Sequence, residues 1–153
     1  MAVGTFQFLD ATAKSLMGGA DLTTNTIKVA LVGSGWTPNQ DTNDEWADVS
    51  ANEIAGGTGY TTGGYTLASP VLTEISKGYK FSSAAPSWTA AGGSIAAWRH
   101  AVFYVSGTVE GVTNPLLGYF IGDDTPADVP ATSVGNTLTI NCPANGWFTL
   151  TRP

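Results

Sequence analysis

Apolar and polar residues alternate in short runs along most of the chain, with glycine-rich turns between the runs. Thr26–Val32 reads Thr-Ile-Lys-Val-Ala-Leu-Val, a β-branched, apolar segment that predicts a strand. In Val71–Ser82, residues Val71, Thr73, Ile75, Tyr79 and Phe81 share one parity, and Glu74, Ser76, Lys80 and Ser82 share the other. That period of two predicts a strand, or a hairpin pinched at Gly78, with one wet face. Ile95–Val105 and Leu116–Ile121 are apolar on both parities, which places them centrally in a sheet or at a subunit contact. Thr137–Asn141 and Trp147–Thr151 read as two closing strands, with Asn145-Gly146 between them as a hairpin signal. Helical spacing occurs over Phe6, Leu9, Ala13 and Leu16 and stops at Gly18-Gly19, predicting a short helix over residues 6–17. Such a helix would close the open end of a sandwich or dock a neighbouring subunit.

With no alternation of strands and helices, these elements predict one all-β domain over residues 1–153. The expected form is a β-sandwich or barrel of about six to seven strands, with the helix inside an N-terminal segment, residues 1–20, and long glycine-rich loops. No repeat or heptad pattern divides it. Asn52–Leu67 is the loop with the most character. Its five glycines supply left-handed positions and close backbone approach, while Tyr60 and Tyr65 give it rings with which to pin itself down. It reads as an ordered arm or long hairpin tip, made rigid by contact with neighbouring subunits.

Charge changes the picture by what it excludes. Charged residues are 12% of the chain, about half the usual share of a soluble domain, so hydroxyls, amides and backbone make up the polar surface. Such a surface is cheap to desolvate and suits lasting contact with other protein. The net charge of −6 argues against a nucleic-acid binder, which needs a basic stripe, and disfavours an anionic membrane surface. No run approaches the roughly 20 apolar residues of a membrane span. The first residues carry no basic stretch followed by an apolar one, so no secretory leader is expected.

Candidate chemistry is sparse. Asp41, Asp44, Glu45 and Asp48 cluster around Trp46, but their spacing is not that of a calcium loop, and a solvated acidic loop or short helical turn is expected. His100 is the only histidine and Cys142 the only cysteine, which leaves no cysteine metal cluster and no internal disulfide. His100 shares its predicted face with Trp98, Val102 and Tyr104, as a half-buried structural histidine would. Neither a Gly-x-Ser-x-Gly elbow nor a phosphate loop is present. No catalytic, cofactor-binding or metal-binding residues are assigned, and no enzyme activity is expected. Trp36, Trp46 and Trp88 fall in predicted loops, where exposed rings could stack on sugars.

The glycine arm carries a resemblance. Asn52-Glu53-Ile54, Gly57-Thr58-Gly59-Tyr60-Thr61, Gly63-Gly64 and Thr66-Leu67 resemble the NEI-GTGYT-GG-TL signature of small structural proteins of tailed bacteriophages. The likeness extends to Thr26–Val32, Thr37-Pro38-Asn39, Arg99–Tyr104, Pro115–Tyr119 and Gly146–Leu150, in the family's order. An extra glycine at 56–57, and Ser87 before Trp88 where the family often has acidic residues, are departures. The resemblance implies a head decoration, or cement, protein on the capsid exterior of the virion, made in the host cytoplasm. Its implied partners are the major capsid protein, whose adjacent subunits it clamps, and itself, as a homotrimer. The capsid or subunit contacts so implied are Phe6, Leu9, Glu53, Ile54, Tyr60, Tyr65 and Leu67. A tail or head-fibre component that binds host glycan through the loop tryptophans is the alternative.

Overall fold

The computed structural model describes residues 4–8, 19–125 and 127–151, and the side chain of Phe8 is not among the described features. The protein is all-β. Its main sheet has five strands in the order β1 (Gln7–Phe8), β10 (Leu116–Ile121), β7 (His100–Val105), β2 (Ile27–Val32) and β3 (Tyr65–Thr66), all antiparallel. A three-stranded sheet is formed by β12 (Phe148–Thr151), β5 (Gly78–Ser82) and β4 (Val71–Ile75), and a two-stranded one by β11 (Thr137–Thr139) and β6 (Ser87–Thr89). A small hairpin, β8 (Thr108–Val109) and β9 (Val112–Thr113), lies in the connection between β7 and β10. Glu110 and Gly111 both have positive φ at its tip, the requirement of a type I′ turn.

The runs that are apolar on both parities do lie in the centre. Every residue of β7 is buried, because the main sheet is covered on both faces. On one face Ile27, Val29, Leu31, Ala101, Phe103, Val105 and Phe120 pack against Phe81, Trp88, Leu138 and Phe148 of the two smaller sheets and against Trp147, which leads into β12. On the other, Ala30, Val32, Val102, Tyr104 and Leu116 pack under Trp36, Val49 and the half-buried Trp46. The acidic loop is therefore more than solvated. Its 3-10 turns, Trp46–Asp48 and Ser50–Asn52, hold it as a cover over the sheet. Asp48 organises the first turn by accepting the backbone N–H groups of Asp44 and Glu45.

Several expectations need correction. Phe6 leads into β1 instead of opening a helix, because its ring fills space against Phe103 and Phe148 at centroid distances of 5.3 Å. The rest of the expected helix, from Leu9 to Leu16, lies outside the described residues. Ile95–Val105 is a strand only from His100. Before it, Ile95 and Trp98 make single bridges to Thr132 and Val129. Trp98 enters the first core, while His100 faces Trp36 on the second, so the two do not share a face. Val71–Ser82 is a hairpin closed by Ser76 and Lys77, and its register pairs Leu72 with Phe81 and Glu74 with Tyr79. Crossing the turn exchanges the parities, so the single wet face read from the sequence does not exist. The Asn145-Gly146 turn forms, with the Gly146 N–H donating to the Pro143 carbonyl, but its flanking strands do not pair with each other. β11 joins β6 and β12 joins β5, making the turn a corner between sheets.

Candidate interaction surface

Residues 52–67 form a ribbon along the rim of β2. Only Lys28 and Val29 pair with β3, at Thr66 and Tyr65. Beyond them the rim of β2 would face solvent with its backbone groups unpaired, a costly arrangement beside a core. The ribbon supplies the missing partners. Ile54 N–H donates to the Leu31 carbonyl at 3.0 Å, Val32 bridges Glu53, and Gly33 N–H donates to the Asn52 carbonyl at 2.9 Å. Leu31 N–H donates to the hydroxyl of Tyr60 at 3.0 Å, so a side chain completes what a strand would otherwise provide.

Glu53 ties the ribbon together from within. Its Oε1 accepts the Tyr60 hydroxyl and the Gly63 N–H, each at 2.7 Å. Tyr104, from β7, donates its hydroxyl to the Gly63 carbonyl at 2.6 Å. Burial, reinforced by the hydrogen bond to Glu53, pushes the Tyr60 phenol well above its ordinary pKa. Burial first, then the nearby Glu53, pushes Tyr104 up to about 12. Trp88 lies against both ribbon rings, 5.9 Å from Tyr60 and 5.6 Å from Tyr65.

Two glycines make this fit possible. At Gly64 (φ +80) a Cβ would stand 2.2 Å from the Val29 carbonyl oxygen, and at Gly59 (φ +94) 2.0 Å from that of Thr89. Any side chain there would collide with backbone as well as force a left-handed conformation.

The implied contact residues thus sit as follows. Ile54, Tyr60 and Leu67 are buried in the chain's own core, Glu53 and Tyr65 are half-buried against it, and Phe6 packs at its margin. Leu9 lies outside the described residues. The ribbon is anchored on its own sheet, so its rigidity needs no neighbour. What it offers a partner is its outer side, where Ala55, Gly56, Gly57, Thr61, Thr62 and Thr66 are exposed and uncharged. Sequence reasoning missed this outer side, because the tyrosines drew attention to the anchors.

The groups with potential chemistry are dispersed. His100 is buried between Trp36 and Tyr119, at 5.1 and 5.8 Å, and burial holds its pKa below the ordinary value. Among the described residues no group of three His, Cys, Asp or Glu side chains could hold a metal. Trp36 and Trp88 are buried, and the half-buried Trp46 stacks flat on Tyr104 at 4.8 Å, so all three indoles pack against the chain's own core. An apolar groove of about 330 Å³ runs between Leu22, Leu72, Tyr79, Phe81, Phe148 and Leu150. Thr5, Gln7, Asp123 and Asp124 are among the residues that line a second hollow, of about 460 Å³, beside Tyr119. Compared with models of known protein families, with curated proteins and with solved structures, the chain matches none.

Proposed function

We propose that the chain is a structural protein of a tailed-phage virion, decorating the outside of the head and clamping adjacent subunits of the major capsid protein. The signature residues of Asn52–Leu67 suggest the class. The observation that carries the reading furthest is the state of that ribbon. It is anchored at Ile54, Tyr60 and Leu67, and it presents exposed, uncharged residues on its outer side. A surface ordered before binding loses little further entropy on contact, and neutral hydroxyls and backbone desolvate cheaply. Individually weak contacts repeated over a symmetric shell would then add through avidity. In this reading the protein is made in the host cytoplasm, works on the capsid exterior, associates with its own copies, and acts by binding without catalysis.

The test is co-sedimentation with assembled empty heads. Removing Asn52–Leu67 outright would delete core residues and the cover of β2, so the remainder should not fold and point changes are needed. Thr61→Asp with Thr62→Asp should leave the melting temperature within about 2 °C, both sites being exposed. It should also abolish binding to heads. Full occupancy by the folded double variant would overturn the proposal. So would finding only a handful of copies per particle, a number that fits a tail or fibre and not a shell.

A further inference from the structure

The main sheet protects its rims. β1 and β3 are two residues each, and the ribbon seals β2. Among the described residues the three-stranded sheet has no such cover along β4, which forms its edge. β4 is five residues long, pairs with β5 without a bulge, contains no proline and carries one charge, Glu74. Its apolar side chains face solvent, with Val71 47% and Leu72 40% exposed, and Tyr79 and Leu150 on the same sheet are 53% and 61% exposed. Protein edges of this kind usually carry a charge pointing inward, a bulge, a proline or a covering loop to prevent pairing. On β4 the single charge, Glu74, shares the face of Leu72 and Phe81 but remains exposed, and among the described residues no bulge, proline or covering loop is present.

The register says which backbone groups are available. The two-residue turn closes on Ile75 and Gly78, a pair that exchanges hydrogen bonds, and such pairs alternate along an antiparallel ladder. Val71, Thr73 and Ile75 therefore direct their N–H and C=O groups at β5. Leu72 and Glu74 direct theirs outward, and no other strand takes them up among the described residues. The rim thus offers two donors and two acceptors in the order an antiparallel strand requires.

We propose that β4 pairs with β4 of a second copy of this chain, antiparallel and centred on Thr73, making one six-stranded sheet across a two-fold axis. Complementarity selects both the occupant and the register. Centring on Leu72 would set Glu74 against Pro70, which has no N–H to give. Centring on Glu74 would place two identical carboxylates directly opposite, which is unfavourable. Centring on Thr73 sets Leu72 against Glu74 twice, and all the outward groups of both copies find partners. On the opposite face Val71 meets Ile75 and Thr73 meets Thr73, a favourable apolar and hydroxyl set. The contact is isologous, so it closes at two copies. It is two-fold and so departs from the trimer that the resemblance implies. It does not depend on the shell reading, because the purified chain alone should show it. One strand pair buries less than the roughly 1,000 Å² of a lasting interface, so dissociation constants of about 10 μM to 1 mM are expected.

Two measurements test it. Sedimentation of the purified chain should reveal a monomer–dimer equilibrium over that range. Thr73→Lys, which opposes two like charges at the axis, should abolish it while the melting curve is kept. In a Cys142→Ser background, Thr73→Cys should form a disulfide dimer under mild oxidation. A non-hydrogen-bonded antiparallel pair has Cα atoms about 4.5 Å apart, within disulfide range. The exposed Ala96→Cys serves as control and should cross-link at least tenfold more slowly. Equal cross-linking of the two variants, or unaltered dimerisation of Thr73→Lys, would overturn the proposal. It would also fail if the parent chain stays monomeric while Thr73→Lys loses binding to heads, since the edge would then belong to another protein.

Discussion

Replacing Tyr60 by phenylalanine removes one oxygen atom from the joint between ribbon and sheet. The ring still fills its place against Trp88, so the packing term is kept. The Leu31 N–H loses its acceptor in a region closed to water, which costs about 1–3 kcal/mol. The Glu53 carboxylate loses one donor but keeps the Gly63 N–H and is half-exposed, so water replaces part of that bond. A total of about 2–3 kcal/mol is expected, a fall of roughly 5–10 °C in melting temperature for a domain this size. A second, independent signature comes from alkaline titration. The Tyr60 pKa is higher in the folded state than in the unfolded chain. Its contribution is therefore complete below pH ~10 and is lost as pH rises further. Urea unfolding from pH ~9 to ~12 should show the variant losing stability less steeply than the parent, by up to about 1.4 kcal/mol per pH unit. Tyr104 supplies a similar dependence in both proteins, so the difference isolates Tyr60. A variant that melts with the parent and follows the same alkaline slope would refute the account of the joint.

Gly64→Ala and Gly57→Ala form an informative pair, since both positions have positive φ. Alanine at 64 meets the Val29 carbonyl and should cost more than about 3 kcal/mol, whereas alanine at 57 meets nothing within 4 Å and should cost about 1 kcal/mol, read by thermal melts. Because burial lowers the His100 pKa, its stabilising contribution is present above the unfolded value of about 6.5 and is lost as pH falls from there. Urea unfolding at about pH 7.5 and 5.5 should show that loss in the parent and less of it in His100→Gln. Ser83→Ala removes the acceptor of the Trp147 Nε1–H at 2.8 Å, and chemical denaturation should register a cost of about 1–2 kcal/mol.

The strands readable in advance were those whose side chains have no choice of environment. Ile27–Val32, His100–Val105 and Leu116–Ile121 are too apolar to lie anywhere but between two layers. Pairing partners were less readable. Asn145-Gly146 specifies a turn, but long-range packing of Leu138 on Trp88 and of Phe148 on Phe81 decides where its two strands go. Parity misled at Val71–Ser82 because a two-residue turn restarts the alternation on the far strand. The cover over the second core was obscured by composition. Four carboxylates hide the fact that Trp36, Val49 and Trp46 of the same loop point inward. In the ribbon, its glycines and rings foretold an ordered loop, but not that its anchor would be β2 of the same chain, because nothing local records a hydroxyl standing in for a strand.

That substitution bears on how the nascent chain avoids trouble. β2 leaves the ribosome well before β7, its long-range neighbour, and in the interval it is a sticky apolar segment with two open sides. The ribbon follows it closely in sequence and can fold back at once, because loop closure over a short span is fast. One side of β2 is then blocked while the other waits for β7. Misregistered or intermolecular pairing during translation is thereby confined to a single rim, which limits the routes to aggregation open to a β protein held together mainly by long-range pairing.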